Sequence, residues 1–272
     1  MNYRTILLAS AAVMFATAAS AKDITNPFYL PEQGKVLSDT SIETSRTNLK
    51  HYGNVDKSLY ANEEITYGIS DNLAVFGAIG NEFDGKKFSK GEYNNDHNFD
   101  YTVGAKYNMQ AGNWLAQVGA AYNTYNPKSW YGHKNYKERT GNGNDRWQKE
   151  LAAQVKLGYD LCNGWTPYTS FDLAGNIDDA DRYMEYSWFG GVHKKFDKAS
   201  IDAGLRYDFT TDGKNTNQLY AQAEANYFVK ENIALGVYGD YYLSGNSDYS
   251  DNGNKVDIDY DYTAGLQAKV LF

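Results

Sequence analysis

Apolar and polar residues alternate along most of this chain. The longest run is at the C-terminus, where Val256 to Phe272 place apolar or aromatic residues at every second position, and Asp257, Asp259 and Asp261 occupy the opposite face. This 17-residue run is much longer than a typical soluble strand of about five or six residues. A period of two predicts strands with one apolar and one polar face.

The same alternation recurs often enough to predict twelve strands. Five short turns and six longer polar loops separate them. Ten strands are the alternative, because the first strand is barely apolar and the second puts Glu63 among apolar positions, unless a bulge turns it inward. The twelve are expected near 35–45, 58–69, 73–83, 99–109, 113–122, 147–160, 165–174, 182–196, 200–209, 218–229, 233–243 and 256–272.

The polar face and the strand ends favour a membrane barrel over a soluble β-sandwich, which would also alternate. Ionisable groups occupy successive positions of the polar face in many strands. Aromatic residues such as Trp114 and Tyr241 cluster at the strand ends, as the two interfaces of a bilayer require. The pattern therefore predicts an all-β fold, a transmembrane up-and-down antiparallel β-barrel.

The N-terminus differs from the rest of the chain. Arg4, an apolar run from Ile6 to Ala18 and the small residues Ala19 to Ala21 are typical of a cleaved secretory signal peptide. We expect a signal peptide at 1–21, an extended periplasmic lead-in at 22–34 and the barrel at 35–272. Without the signal, 34 acids face 25 bases, a charge of −9.

Composition excludes several function classes. No segment after the signal has the ~20 consecutive apolar residues of a membrane-spanning helix. A net acidic chain without a basic cluster is a poor nucleic-acid binder. Four histidines and one cysteine leave little for a zinc site and no intramolecular disulfide. We expect no metal, no cofactor and no enzyme active site.

Taken together, these features resemble the Gram-negative outer-membrane β-barrel proteins, including small porins. The resemblance rests on the signal sequence, six up-down hairpins, short turns opposite long loops, and the ending Ala268-Lys269-Val270-Leu271-Phe272. The segment from Tyr67 to Leu73 is similar to a periplasmic turn of small porins. The resemblance implies residence in the outer membrane, contact with its lipids and lipopolysaccharide, and delivery by the outer-membrane assembly machinery. It also implies an assembly signal on the last strand, at Phe272, Val270 and Tyr262.

The expected function follows from the predicted lumen. Twelve strands close into a backbone cylinder of roughly 24 Å diameter. Its polar face carries 15 acids against five bases, which is costly unless water enters. We expect a passive, cation-preferring channel for small hydrophilic solutes. The alternative is a non-conducting structural or adhesive surface-antigen barrel acting through its loops. The residues expected to set selectivity are Asp257, Asp259, Asp261, Asp240, Asp208, Arg206 and Lys156.

The loop at 123–146 is the longest and is basic in an otherwise acidic chain. Its residues Trp130, Lys134, Lys137 and Arg139 are candidates for the mouth of the channel. They could constrict the pore, contact lipopolysaccharide phosphates or a partner, or lie in a solvated loop.

Overall fold

The computed structural model describes residues 23–50, 53–84, 98–125, 148–177, 184–210, 217–246, 250–251, 254–255 and 257–272. Twelve of its fourteen strands have 12 to 18 residues, as the period-two pattern predicts. They are β1 (Val36–Leu49), β2 (Gly53–Ser70), β3 (Leu73–Asp84), β4 (Asn98–Ala111), β5 (Trp114–Tyr125), β6 (Gln148–Tyr159), β7 (Trp165–Asn176), β8 (Met184–Lys195), β9 (Ala199–Thr210), β10 (Asn217–Lys230), β11 (Ile233–Asn246) and β14 (Ile258–Leu271). The two-residue strands β12 (Ser250–Asp251) and β13 (Asn254–Lys255) pair only with each other.

The twelve long strands form one closed barrel. Each pairs antiparallel with its neighbours in the chain, and β1 closes the barrel against β14 from Leu37↔Leu271 to Leu49↔Ile258. The up-and-down barrel of twelve strands is therefore confirmed, and the ten-strand alternative is wrong. We call the end with the connections at 71–72, 112–113, 160–164, 196–198 and 231–232 the short-turn end, and the opposite end the long-loop end.

The outer face carries a continuous apolar band. Ile79, Val103 and Leu266 are 53%, 59% and 64% exposed on it, although they are large and apolar. At the short-turn end Trp114 packs edge-on against Tyr159 with ring centroids 5.0 Å apart. Such a surface suits a hydrocarbon environment with aromatic residues at its boundary. Among the residues that the structure describes, no helix is long and apolar enough to cross a membrane.

A β-bulge near Asp259 interrupts the long C-terminal alternation. Asn48 pairs with Tyr260 and Leu49 with Ile258, so Asp259 is the extra residue. The bulge reverses the faces beyond it. Ile258, expected on the outer face, is 5% exposed and packs with Leu49, Tyr220 and Tyr242.

Glu63 faces outward, and no bulge turns it into the lumen. Its register is continuous, with Thr40↔Glu63 next to Ser38↔Ile65. The hydroxyls of Ser38 (2.6 Å) and Thr40 donate to its two carboxylate oxygens. The polar outer face of β1 thus hydrogen-bonds an acid that would otherwise meet lipid without a partner.

Candidate functional site

The lumen is lined by charged side chains in two unequal halves. Among the side chains that the structure describes, eight acids face one base, Arg206, in the half near the long-loop end. In the short-turn half, four acids face four lysines, with His193 among them. The long-loop acids are Glu43, Asp100, Glu150, Asp172, Glu185, Asp208, Asp240 and Asp261. The short-turn groups are Asp39, Glu64, Asp202, Glu224, Lys106, Lys156, Lys195 and Lys269.

Four of the predicted selectivity residues meet in the long-loop half, on β9, β11 and β14. Arg206 donates from Nε to Asp208 Oδ2 and from Nη1 to Asp240 Oδ2, each at 2.9 Å. Its guanidinium lies 4.6 Å from the ring centre of Tyr220. The Tyr220 hydroxyl donates to Asp261 Oδ2 at 3.1 Å, which joins the fourth residue to the cluster.

Two other predicted residues lie at the rim instead. Asp257 is 71% exposed, and its Oδ2 lies 3.3 Å from Lys50 Nζ. Asp259, also exposed, accepts a 3.0 Å hydrogen bond from Asn48 Nδ2. The bulge separates them from Asp261, so the three aspartates do not form one ring in the lumen. The lumen count of 15 acids falls to twelve, because Asp160 lies in a turn as well.

Several long-loop acids have only neutral hydrogen-bond partners. Both oxygens of Asp100 accept from the Tyr60 hydroxyl, at 2.9 and 3.1 Å. Glu150 accepts from Asn123 Nδ2 at 2.7 Å. Asp172 accepts from Gln154 and from Ser170. These donors hold the carboxylates in place without cancelling their charge. The sequence shows the inward acids but not these pairings, which depend on neighbouring strands.

The short-turn half pairs most of its charges. Lys106 lies 2.9 Å from Glu64 and 4.3 Å from the ring centre of Phe76. Lys269 lies 3.2 Å from Glu224 and 3.8 Å from Asp39.

Lys156, the remaining predicted selectivity residue, differs from these lysines. Its ammonium donates to the backbone carbonyl of Pro27 at 3.1 Å. No carboxylate of the described residues lies within 4.0 Å of it. The partner comes from the segment before β1, so Lys156 is set apart from the acidic long-loop half.

Large aromatic rings on the inner face lie against the wall, each over a nearby glycine. A Cβ at Gly104 would lie 2.5 Å from Phe76 Cζ, and one at Gly191 or Gly204 would lie 2.5 Å from Phe189 Cζ. Tyr238 covers Gly265 in the same way. Only glycine leaves room for these rings, so each ring packs against the backbone of the wall instead of projecting toward the barrel axis.

The segment 23–34 lies inside the short-turn mouth. The sequence predicts an extended lead-in at 22–34, whereas residues 23–29 form two consecutive turns, closed by Asn26 N to Asp23 O (3.0 Å) and Tyr29 N to Asn26 O (2.8 Å). Ile24, Phe28, Leu30 and Pro31 are buried. The turns and the inward packing depend on contacts with the barrel wall, and the large apolar residues of this short segment are the only sequence signal of its burial.

The remaining candidates lie at the barrel seam or outside the described residues. Phe272 and Val36 exchange backbone hydrogen bonds of 2.8 and 3.2 Å. Val270 pairs with Ser38 and Ile233, and Tyr262 with Arg46 and Tyr241. Val270 and Tyr262 therefore belong to the strand that closes the barrel, and Phe272 follows it directly. The loop candidates lie outside the described residues: Trp130, Lys134, Lys137 and Arg139.

The fold is shared with solved outer-membrane channels. The COG4313 outer membrane channel from Pseudomonas putida F1 superposes with a TM-score of 0.61 at 15% identity, covering 92% of this chain and 100% of that chain. The NanC porin gives 0.52 at 10% identity, over 85% and 98%. The KdgM porin in complex with disordered oligogalacturonate gives 0.50 at 6% identity, over 86% and 98%.

Sequence comparison adds no closer relative. No protein-family model matches this chain, and no curated protein sequence matches it. At identities this low the structural likeness establishes the fold, and it does not transfer a solute. The chain therefore has the closed twelve-stranded fold of outer-membrane channels and porins.

Proposed function

We propose that this protein is a passive channel of the bacterial outer membrane for small hydrophilic solutes, with a preference for cations. The observation that carries the proposal is the excess of acids in the long-loop half of the lumen, where eight acids and one base, Arg206, are found among the described side chains. Carboxylates that are neither paired nor hydrated are very costly to bury. Asp100, Glu150 and Asp172 have neutral partners, so their charge requires water in that half.

Selectivity then follows from the field of the lumen. Low-dielectric walls focus the field of acids such as Asp100, Glu150 and Asp172 along the barrel, which raises the local cation concentration and lowers that of anions. Hydroxyl and amide groups hold these acids at the wall. A passing ion therefore interacts with hydrated carboxylates and does not need to break their ion pairs. Salt weakens the preference, because the Debye length falls from about 10 Å at 0.1 M to about 3 Å at 1 M.

The test removes charge without changing shape. In the variant Asp100→Asn/Glu150→Gln/Asp172→Asn each new amide keeps a carbonyl acceptor, and no salt bridge among the described residues is lost. Single channels in a planar bilayer under a KCl gradient should show a clear loss of cation preference in dilute salt. The matched control Asp257→Asn/Asp259→Asn removes two charges from the rim and should change the reversal potential less. An anion-selective wild type would overturn the proposed preference.

A second candidate is a non-conducting barrel that acts at the cell surface through its long loops. It is favoured by the segment 23–34, which fills the short-turn mouth. Conductance separates the candidates: a barrel that carries no ions, with or without this segment, supports the second.

Assembly and surface contacts belong to the same proposal. Phe272 ends the strand that closes on β1, and we propose that it acts with Val270 and Tyr262 in recognition by the outer-membrane assembly machinery. Deleting Phe272 should lower the amount of protein in outer-membrane fractions, while correctly inserted molecules keep wild-type conductance. Equal amounts would contradict this role. The basic loop 123–146 is proposed to contact lipopolysaccharide phosphates or to lie over the mouth.

A further inference from the structure

The segment 23–34 contacts the wall on opposite sides of the short-turn mouth. At its start, Asp23 Oδ2 lies 2.8 Å from His193 Nε2 on β8, and the hydroxyls of Thr25 and Ser200 on β9 are 2.8 Å apart. Ile24 packs with Ala234 and Leu271. The segment begins, therefore, against the wall formed by β8, β9, β11 and β14.

The segment then crosses to the opposite wall. Pro27 O accepts from Lys156 on β6, and Phe28 O accepts from Asn108 Nδ2 on β4 at 2.6 Å. The Phe28 ring packs edge-on against Tyr168 on β7, with centroids 6.0 Å apart, in space that only a glycine at position 158 leaves free.

The segment ends against β2. The carbonyl oxygens of Pro31 and Glu32 occupy the space where a Cβ of Gly68 would lie. Gly34 N donates to Gly68 O at 2.9 Å, and Gly68 N donates to Lys35 O at 3.0 Å. After these bonds the chain enters β1.

A ring of buried side chains shows how completely this path fills the mouth. Nine inward-facing residues near the short-turn end, one on each of nine strands, are all less than 9% exposed. They are Thr66, Ala74, Gln117, Thr166, His193, Ser200, Asn226, Ala234 and Leu271. Inward residues of a water-filled mouth would be wet. Water is therefore excluded at this level around most of the circumference.

The contacts that hold the segment are of a kind that water or a solute can replace. Lys156 and Asn108 bind backbone carbonyl oxygens, and Ser200 binds a hydroxyl. Gly34 offers a hinge, because its φ of +78° lies in the left-handed region and nothing lies within 4 Å of a Cβ there. Burial of Ile24, Phe28, Leu30 and Pro31 favours the closed state.

We propose that residues 23–34 are a displaceable plug that closes the short-turn mouth and swings about Gly34 when the channel opens. This inference rests on the proposed channel function and names the part that regulates it. In the closed state the carbonyl oxygens of Pro27 and Phe28 occupy the donors of Lys156 and Asn108. When the plug leaves, Lys156 and Asn108 are free to bind carbonyl or hydroxyl oxygens of the passing solute, so the mouth favours solutes rich in such oxygens.

A reversible cross-link tests the plug in the full-length protein. Thr25→Cys/Ser200→Cys, in a Cys162→Ser background, replaces two hydroxyls that already touch. Oxidation should lock the plug and lower single-channel conductance at least tenfold, and dithiothreitol should restore it. The matched controls are the two single-cysteine variants treated identically, which should conduct as the background does. Loss of thiol labelling shows that the bond has formed.

The other outcomes separate the plug from the channel itself. A formed cross-link that leaves conductance unchanged overturns the plug and leaves the channel intact. A variant that lacks residues 23–33 and retains Gly34 should conduct more than wild type; folded protein with unchanged conductance would count against the plug. If neither wild type nor this deletion conducts, the proposed channel function is overturned, and the plug with it.

Discussion

The two halves of the lumen solve the problem of buried charge in different ways. In the short-turn half, where protein fills the barrel, Lys106 and Lys269 are paired with acids, and Asp23 meets His193. In the long-loop half most acids are held by neutral donors, as Asp100 is by Tyr60. Where protein replaces water, charges must find partners. Where acids have neutral donors, water must remain, so one half of the lumen closes the barrel and the other selects the ions.

The largest effect is expected from removing Arg206, the one base found among the described lumen residues of the long-loop half. Arg206→Gln leaves Asp208 and Asp240 without their guanidinium. An interaction of about 1 kcal/mol between that charge and a passing ion changes the partition of the ion by roughly fivefold. Cation preference, measured as reversal potential in dilute KCl, should therefore rise severalfold.

Lys156→Gln is the matched control for this prediction, because it makes the same charge change in the other half, beneath the plug. It should affect closure more than selectivity. Equal shifts of the reversal potential in both variants would show that the halves do not differ in this way.

The next largest effect is expected from replacing a glycine that an aromatic ring covers. Gly104→Ala places a Cβ 2.5 Å from both Ala120 O and Phe76 Cζ, so the ring must leave the wall. Overpacking of this kind costs about 1–3 kcal/mol. The temperature at which heat-modifiable gel migration is lost should fall, and conductance should fall as Phe76 enters the lumen. Gly119→Ala, whose Cβ meets its nearest atoms at 3.5 Å or more, should behave as wild type.

Protonation of Asp23 in strong acid should weaken the plug. Burial raises the pKa of the Asp23 carboxyl. Hydrogen bonds from His193 and Thr25 and the nearby positive charges lower that pKa by more than burial raises it, so the pKa lies below the ordinary 3.8. A lowered pKa means that the contribution of Asp23 is complete above pH 3.8 and is lost as the pH falls through the lowered value.

Asp23→Asn should conduct more than wild type at neutral pH, and this difference should shrink as the pH falls from about 4 to about 2, because the lumen carboxylates titrate in both proteins. The control Asp71→Asn alters an exposed carboxylate that receives only a 3.5 Å contact from Gln33 N. If Asp23→Asn matches wild type at every pH, the Asp23–His193 contact does not hold the plug.

The smallest effect is expected beyond the long-loop rim. Removing residues 126–144, between the described parts of β5 and β6, should leave the barrel intact, because the Tyr125↔Gln148 pair already ends that hairpin. Heat-modifiable migration should be unchanged, and the cation preference of the lumen should be largely preserved. Loss of the folded band would show that this loop supports the barrel wall.

The sequence alone determined the barrel and its two faces. Period-two alternation is a local property of the sequence. The strand expected at 147–160 is therefore found at Gln148–Tyr159. Arg206, Asp208 and Asp240 lie on the inner face, as their positions in the alternation predict. The same alternation predicted the number of strands, because each turn interrupts it and so marks the end of a strand.

Only the tertiary structure decided which of these groups meet. The bulge at Asp259 depends on the register between the first and last strands, which are more than two hundred residues apart in sequence, so parity counted along β14 fails there. Glu63 takes its donors from the neighbouring strand β1. The segment 23–34 has no period of its own, and its turns are stabilised by the wall it packs against. Local alternation sets which face a side chain takes, whereas long-range register and closure set its neighbours.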